Sequence, residues 1–189
     1  MRKPKLVLIA VVLSVLGLTN SPVFAQRAMF ILRHAERAEY DEGDGPISKT
    51  GEWRAMTLAR LLGEAGITTI ITSDAKRTMQ TAEPIARALG ITPRVIRTRG
   101  AKTPNDIVVT IDREKVDWVA DYAKQLMDEI RSRHKNDVVL IIGHQNTVPA
   151  IVRATGYSGE VKIGDYEHDD IFVVVPKENG PPIVLHLNY

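Results

Sequence analysis

Three short apolar runs, each cut off by polar residues and each followed by helical periodicity, constrain this chain more than anything else in it. They are residues 29–32, 67–72 and 138–142. Runs of this length read as strands buried on both faces, as in the interior of a parallel sheet. The second, Ile67 to Thr72, is β-branched throughout. Between them lie amphipathic stretches. Ala55, Leu58, Ala59 and Leu62 share one face of a helix predicted over 51–65, which Ser48 or Thr50 caps and Gly66 ends. A second helix over 75–89 takes Ser73 or Asp74 as its cap and Gly90 as its end, with Pro84 predicting a kink or restart. A third over 116–133 presents Val116, Val119, Ala120, Ala123, Met127 and Ile130 together, and a short one spans 147–154. Residues 92–96 add a strand, residues 97–114 read as irregular with brief pairing at 107–111, and strands at 171–175 and 183–187 pair antiparallel across a Gly/Pro turn. The alternation predicts an α/β chain: a three-layer α/β/α sandwich with a mainly parallel sheet and an antiparallel C-terminal edge.

The first 25 residues stand apart. Arg2, Lys3 and Lys5 precede an apolar stretch over 6–18, and Val23-Phe24-Ala25 offers a small-residue cleavage ending. This is the pattern of an export signal, and the apolar run is shorter than the about 20 residues a membrane span needs. We therefore expect a signal peptide over 1–25, cleavage near Ala25, no stable membrane insertion, and a periplasmic or secreted single domain over 26–189. With those three cations set aside from 25 basic residues against 23 acidic, the remainder is close to neutral. That argues against a nucleic-acid partner, so any anion binding must be local. The chain has no cysteine, which excludes disulfides and thiol chemistry.

Chemistry concentrates at strand ends. The first run stops at Arg33-His34, the second leads through Ser73-Asp74 to Arg77, and the third stops at Gly143-His144. In a parallel sheet these ends share one edge, where ligands bind in open α/β folds. Arg33 beside His34 sets a fixed cation next to a nucleophile largely neutral near pH 7, and Arg37 can add a second guanidinium. Arg33 could equally cap a carbonyl, and His34 could be a satisfied loop histidine. Arg77 sits in a first helical turn, where the macrodipole disfavours a cation unless an anion is nearby. His144 precedes a helix, after a glycine that leaves room for close approach. Gln145, Asn146 and Thr147 offer capping groups and amides to an anion. The five histidines show no metal-type spacing, and His168, beside Asp169 and Asp170, reads as a loop histidine ahead of a strand.

Four blocks, in order, resemble the histidine phosphatase (phosphoglycerate-mutase-like) superfamily: Leu32-Arg33-His34-Ala35-Glu36, Pro46-Ile47-Ser48-Lys49-Thr50-Gly51, Thr72-Ser73-Asp74-Ala75-Lys76-Arg77-Thr78-Met79-Gln80-Thr81-Ala82, and Gly143-His144-Gln145-Asn146-Thr147-Val148-Pro149. The likeness is to its small, compact bacterial members. It implies that His34 accepts the phosphoryl group, that Arg33, Arg77 and His144 hold the phosphate, and that Arg37 matches the extra arginine of phytase-like members. Ala35 replaces the usual glycine, Tyr40 stands where mutases have asparagine, and Gln145 where phytase-like members have an acid. Mutase-like members take a proton donor from the segment after the third strand, where Asp106 is the only carboxylate between 94 and 110.

The reaction so implied is phosphate-monoester hydrolysis without metal or cofactor. Neutral His34 attacks in line, Arg33, Arg37, Arg77 and protonated His144 hold the oxygens, and Asp106 protonates the leaving group. The substrate is expected to be a small phosphorylated molecule of the bacterial envelope; oligomeric state stays open. The alternatives are an exported phosphate- or phosphosugar-binding protein of the same fold without turnover, and a phosphomutase.

Overall fold

The computed structural model describes residues 28–38, 43–98 and 118–189. The apolar run that opens the described chain forms β1 (Ala28–Arg33), followed by α1 (Lys49–Leu62), β2 (Thr69–Thr72), α2 (Lys76–Leu89) and β3 (Arg94–Val95). Then come α3 (Trp118–Arg133), β4 (Val138–Gly143), α4 (Thr147–Ala154), β5 (Asp170–Val175) and β6 (Ile183–Asn188). The six strands form one sheet in the order β3-β2-β4-β1-β5-β6.

The apolar runs take the middle of that sheet because they can be buried on both sides. All six residues of β4 are buried. Alternate residues serve opposite layers. Leu32, Ile70, Leu140 and Ile142 pack with Leu58 and Leu62 of α1 and with Ala82 and Ile85 of α2. Ile31, Ile71, Val139 and Ile141 pack with Leu126 and Ile130 of α3 and with Val148 and Ile151 of α4. The result is the expected three-layer α/β/α arrangement.

Register decides where the site lies. β1, β2 and β4 are parallel, with Leu32 opposite Ile142 and Arg33 opposite Gly143. Their C-terminal ends therefore meet at one edge. β5 is antiparallel to β1, with Ile171 opposite Leu32, so it is the beginning of β5 that reaches the same edge. β5 and β6 close the antiparallel side.

The structure departs from the sequence reading in several places. α2 runs unbroken through Pro84, because the buried face of Thr81, Ala82, Ile85 and Ala86 outweighs one missing backbone bond. Neither Ser73 nor Asp74 caps it: its N-cap is Ala75, which makes no side-chain cap bond. Ser48 does cap α1, accepting from the Gly51 amide. Gly51 lets that helix start against the first loop, since a Cβ there would lie 2.5 Å from the Glu36 carbonyl oxygen. β3 is a two-residue edge strand. The export signal over 1–25, Tyr40, the pairing expected at 107–111 and Asp106 all lie outside the described residues.

Candidate active site

The ends of β1 and β4 are locked together before any side chain is considered. The His34 amide donates to the Gly143 carbonyl at 3.0 Å, extending the parallel ladder by one bond. A Cβ on Gly143 would sit 2.8 Å from Thr147 Oγ1, the atom that accepts from the His144 amide. Glycine here is what allows α4 to begin so close to the strand.

His34 is buried, and its ring is held in one tautomer. Nδ1 lies 2.7 Å from the Ala35 carbonyl oxygen, which can only accept, so Nδ1 carries the hydrogen. Nε2 then keeps its lone pair and accepts from Arg77 Nε at 3.1 Å. Burial, and then the nearby His144, Arg77 and Arg33, push the His34 pKa down to about 3 despite the supporting carbonyl. At neutral pH its imidazole is uncharged. Ala35 is accommodated in a small buried cluster with Ile47 and Ala55, and its amide donates to Thr81 Oγ1 of α2.

Arg77 joins the two histidines. It also gives Nη2–H to His144 Nδ1 at 3.2 Å. His144 Nε2 therefore carries the hydrogen and donates to Ser73 Oγ at 2.9 Å; Ser73 passes the chain to Thr78 Oγ1, which donates to the Ala75 carbonyl. The two rings stand edge to face, centroids 5.4 Å apart. Burial first, then Arg77, lowers the His144 pKa to about 4. A cation in a buried site with two guanidiniums nearby is disfavoured, so His144 favours the neutral form.

The two arginines differ. Arg33 gives one nitrogen, Nη1, to three main-chain carbonyls, Gly164, Asp165 and Glu167, at 2.9 to 3.0 Å. The carbonyl-capping reading of Arg33 is therefore realised, and its Nε is left buried without a partner. Arg77 Nη1 instead lies 3.5 Å from the Asp44 carboxylate. Asp44 also accepts from the Lys76 amide at 2.8 Å, so a residue of the first loop supplies the negative charge at the start of α2. Desolvation lowers the pKa of both arginines; Asp165 opposes this at Arg33 and Asp44 at Arg77.

His34, Arg33, Arg77 and His144 thus converge as expected. Arg37 sits exposed on the rim, hydrogen-bonded to no described side chain of the site, though its charge is felt at Arg77. Gln145 caps nothing; it donates to the Ile163 carbonyl and to Asp165, tying down the same loop as Arg33. Two residues were missed. Asp44 is one. The other is His168, whose Nδ1 donates to the His34 carbonyl at 2.7 Å and whose ring lies 5.7 Å from that of His34. Both come from segments whose place at this edge follows from tertiary packing. Among the described residues no group of three or more His, Cys, Asp or Glu side chains is placed to hold a metal ion, and no helix is long and apolar enough to cross a membrane.

Comparison with known proteins agrees with this geometry. The family model described as the histidine phosphatase superfamily (branch 1) matches residues 29–101. A protein of Escherichia coli O1:K1 described as the probable phosphoglycerate mutase GpmB is 43% identical over 68 residues, which are 33% of this chain and 32% of that protein. The chain thus spans about a third of the length of the curated relatives it matches. The mycobacterial glucosyl-3-phosphoglycerate phosphatase, solved with inorganic phosphate, superposes with a TM-score of 0.58 at 18% identity, covering 78% of this chain and 89% of its own. The protein histidine phosphatase SixA, solved with tungstate, gives 0.57 at 21% identity over 85% and 96%. A phosphoserine phosphatase of Entamoeba histolytica gives 0.56 at 13% over 84% and 94%. At these identities the structural likeness speaks for the fold.

Proposed function

We propose that this chain, whose residues 29–101 match the histidine phosphatase superfamily, acts as a member of that family and hydrolyses phosphate monoesters through a phosphohistidine formed on Nε2 of His34. One observation carries the reading: a buried, neutral imidazole with Nδ1–H committed to a carbonyl and its Nε2 lone pair turned to a guanidinium. An imidazole so held needs no base to become a nucleophile. Arg77 already gives N–H groups to both imidazoles, and phosphoryl transfer is mostly positioning plus charge stabilisation. When a phosphoryl group enters, its oxygens compete for the Arg77 N–H groups with His34 Nε2, whose lone pair is thereby freed, with His144 Nδ1 and with Asp44. Arg33 contributes its fixed charge, and Arg37 a further charge felt at Arg77. The bond from Nε2 to phosphorus forms as the ester oxygen leaves; water then displaces the imidazole and releases phosphate.

The charge of the two guanidiniums supports a mechanism without metal or cofactor. The phosphatases among the structural neighbours support a small phosphorylated substrate. The basic and apolar pattern of residues 1–25 supports export, so we place the activity in the bacterial envelope; N-terminal sequencing of the protein recovered from the periplasm tests it.

Rapid mixing with a phosphate-labelled ester and quenching in alkali, where phosphohistidine survives, tests the chemistry. We expect label on His34, transfer of that label to water, and a fall in turnover on the order of 10⁴-fold or more in His34→Ala. Phosphate binding without label would favour the binding-protein alternative, and transfer to a second substrate hydroxyl a mutase. Activity that persists in His34→Ala but disappears with a chelator overturns the proposal.

A further inference from the structure

His168 precedes β5, and because β5 runs antiparallel to β1 the residue falls beside the end of β1. Its Nδ1 must carry the hydrogen, since its partner at 2.7 Å is the carbonyl oxygen of His34. That bond fixes the ring 5.7 Å from the His34 ring and leaves Nε2 as the atom able to take and give a proton. Nε2 makes no hydrogen bond to any described residue, and the ring is half-buried.

The neighbours of His34 are otherwise occupied. His144 uses both ring nitrogens. Asp44 is engaged by the Lys76 amide and by Arg77. Arg33 and Arg77 are guanidiniums, which hold oxygens but do not exchange protons near neutral pH. We propose that His168 is the acid–base residue of the reaction, protonating the leaving oxygen and then deprotonating the attacking water. The inference rests on the phosphohistidine reading and deepens it.

In the first step the His34 Nε2–phosphorus bond forms, the phosphorus–oxygen ester bond breaks, and the proton on His168 Nε2 passes to the departing oxygen, giving the alcohol. In the second, neutral His168 takes a proton from water as the water oxygen bonds to phosphorus and the bond to His34 breaks. Phosphate leaves, and both imidazoles return to their starting states. Burial lowers the pKa of His168, as do Arg33 of β1 and Arg54 of α1, while Glu36 and the His34 carbonyl raise it. An arriving phosphoryl dianion adds to the raising side, so the protonated form is favoured when a proton is needed.

The test uses the full chain and His168→Asn, whose amide N–H can keep the bond to the His34 carbonyl while the titrating nitrogen is gone. Two substrates are compared: p-nitrophenyl phosphate, whose nitrophenolate leaves without a proton, and glycerol phosphate, whose alkoxide does not. For the alkyl ester kcat/KM should fall about 10²- to 10⁴-fold, the range of a lost general acid, and its alkaline pH limb should vanish. For the aryl ester kcat/KM should stay within a few-fold of wild type, with a burst of nitrophenol and accumulated phosphohistidine, because the water step has lost its base. Equal loss on both esters, no loss on either, or the same leaving-group dependence arising in Asp106→Asn instead overturns the role of His168. Absence of label on His34 in the wild type overturns the phosphohistidine reading and this one with it.

Discussion

Two segments contact His34, each forming a wall of the site, and they hold their arginines by opposite means. On the wall built from the first turn of α2, Arg77 is engaged, among the described residues, by the side chains of Asp44, His34 and His144. Each of those partners accepts hydrogen bonds or charge as a phosphoryl oxygen does, and each can be exchanged for one. On the wall built from residues 163–168, Arg33 gives Nη1 to three main-chain carbonyls, and Gln145 and His168 add bonds of their own. Carbonyls belong to the fold and do not step aside. On the proposed reaction the difference separates two jobs that a pair of arginines would otherwise seem to share: Arg77 is the clamp that reorganises, and Arg33 is a fixed charge that doubles as a fastening for the loop.

Alanine at each position tests that division most strongly. Arg77→Ala should lower kcat/KM by about 10³-fold, the loss expected when a preorganised donor to a developing anion is removed. Its stability should change little, because its charged partner is more than half exposed. Arg33→Ala should lower activity and also cost about 1–2 kcal/mol of stability, since three carbonyls lose their common donor. Steady-state kinetics and chemical denaturation of both variants decide it. If Arg77→Ala is the more destabilised protein, the division fails.

Acid sharpens the contrast, because carbonyl contacts have nothing to titrate whereas the Arg77 wall leans on imidazoles. Burial, ahead of the neighbouring cations, holds His34 at about 3 and His144 at about 4, whereas both titrate near 6.5 in an unfolded chain. As pH falls below about 6.5 the unfolded state binds protons that the native state refuses, so stability rises with pH in this window. It is fully present above the unfolded value and is lost toward the folded values. Each group contributes about 1.4 kcal/mol per pH unit there, and His168, also lowered mainly by burial, adds in the same sense. We expect the denaturation midpoint to drop steadily from pH 7 to pH 4.5 and the slope to flatten in His144→Asn. A flat profile in the wild type would mean that these rings are not held neutral.

Much of this site could be read from the chain itself, for a local reason. Strands that are apolar on both faces must be interior and parallel, so residues just past their ends must meet, and His34, Arg77 and His144 do. The parts that could not be read so directly are contacts between segments set by packing. Asp44 reaches the start of α2 across 32 residues, and no periodicity marks it; the one hint is Arg77 in a first helical turn, where a cation asks for a nearby anion. His168 was readable in principle. Its segment leads into a strand expected to be antiparallel, and an antiparallel neighbour of β1 brings its first residue, not its last, to the functional edge. Pairing β5 with β6 alone leaves His168 in a loop; the β1 partner is what brings it to the edge. Pro84 failed in the other direction: local preference predicted a break, and burial of the α2 face overrode it.

The smallest effect expected is also the one that probes the exchangeable wall without damaging it. Asp44 is more than half exposed and offers Arg77 a carboxylate where a phosphoryl oxygen would otherwise sit. It also accepts from the Lys76 amide, and asparagine can keep that bond through its side-chain oxygen while losing the charge. Asp44→Asn therefore removes a competing anion and leaves the helix start satisfied. Inorganic phosphate should then bind more tightly by a few-fold, corresponding to about 1 kcal/mol or less for an exposed ion pair. The gain should shrink as salt is raised, because the competing pair is screened in the same way. Competitive inhibition by phosphate at two ionic strengths measures both. Weaker binding in Asp44→Asn would mean that this carboxylate orients Arg77 for the phosphoryl group rather than competing with it, and Arg77 would then belong to a wall as fixed as that of Arg33.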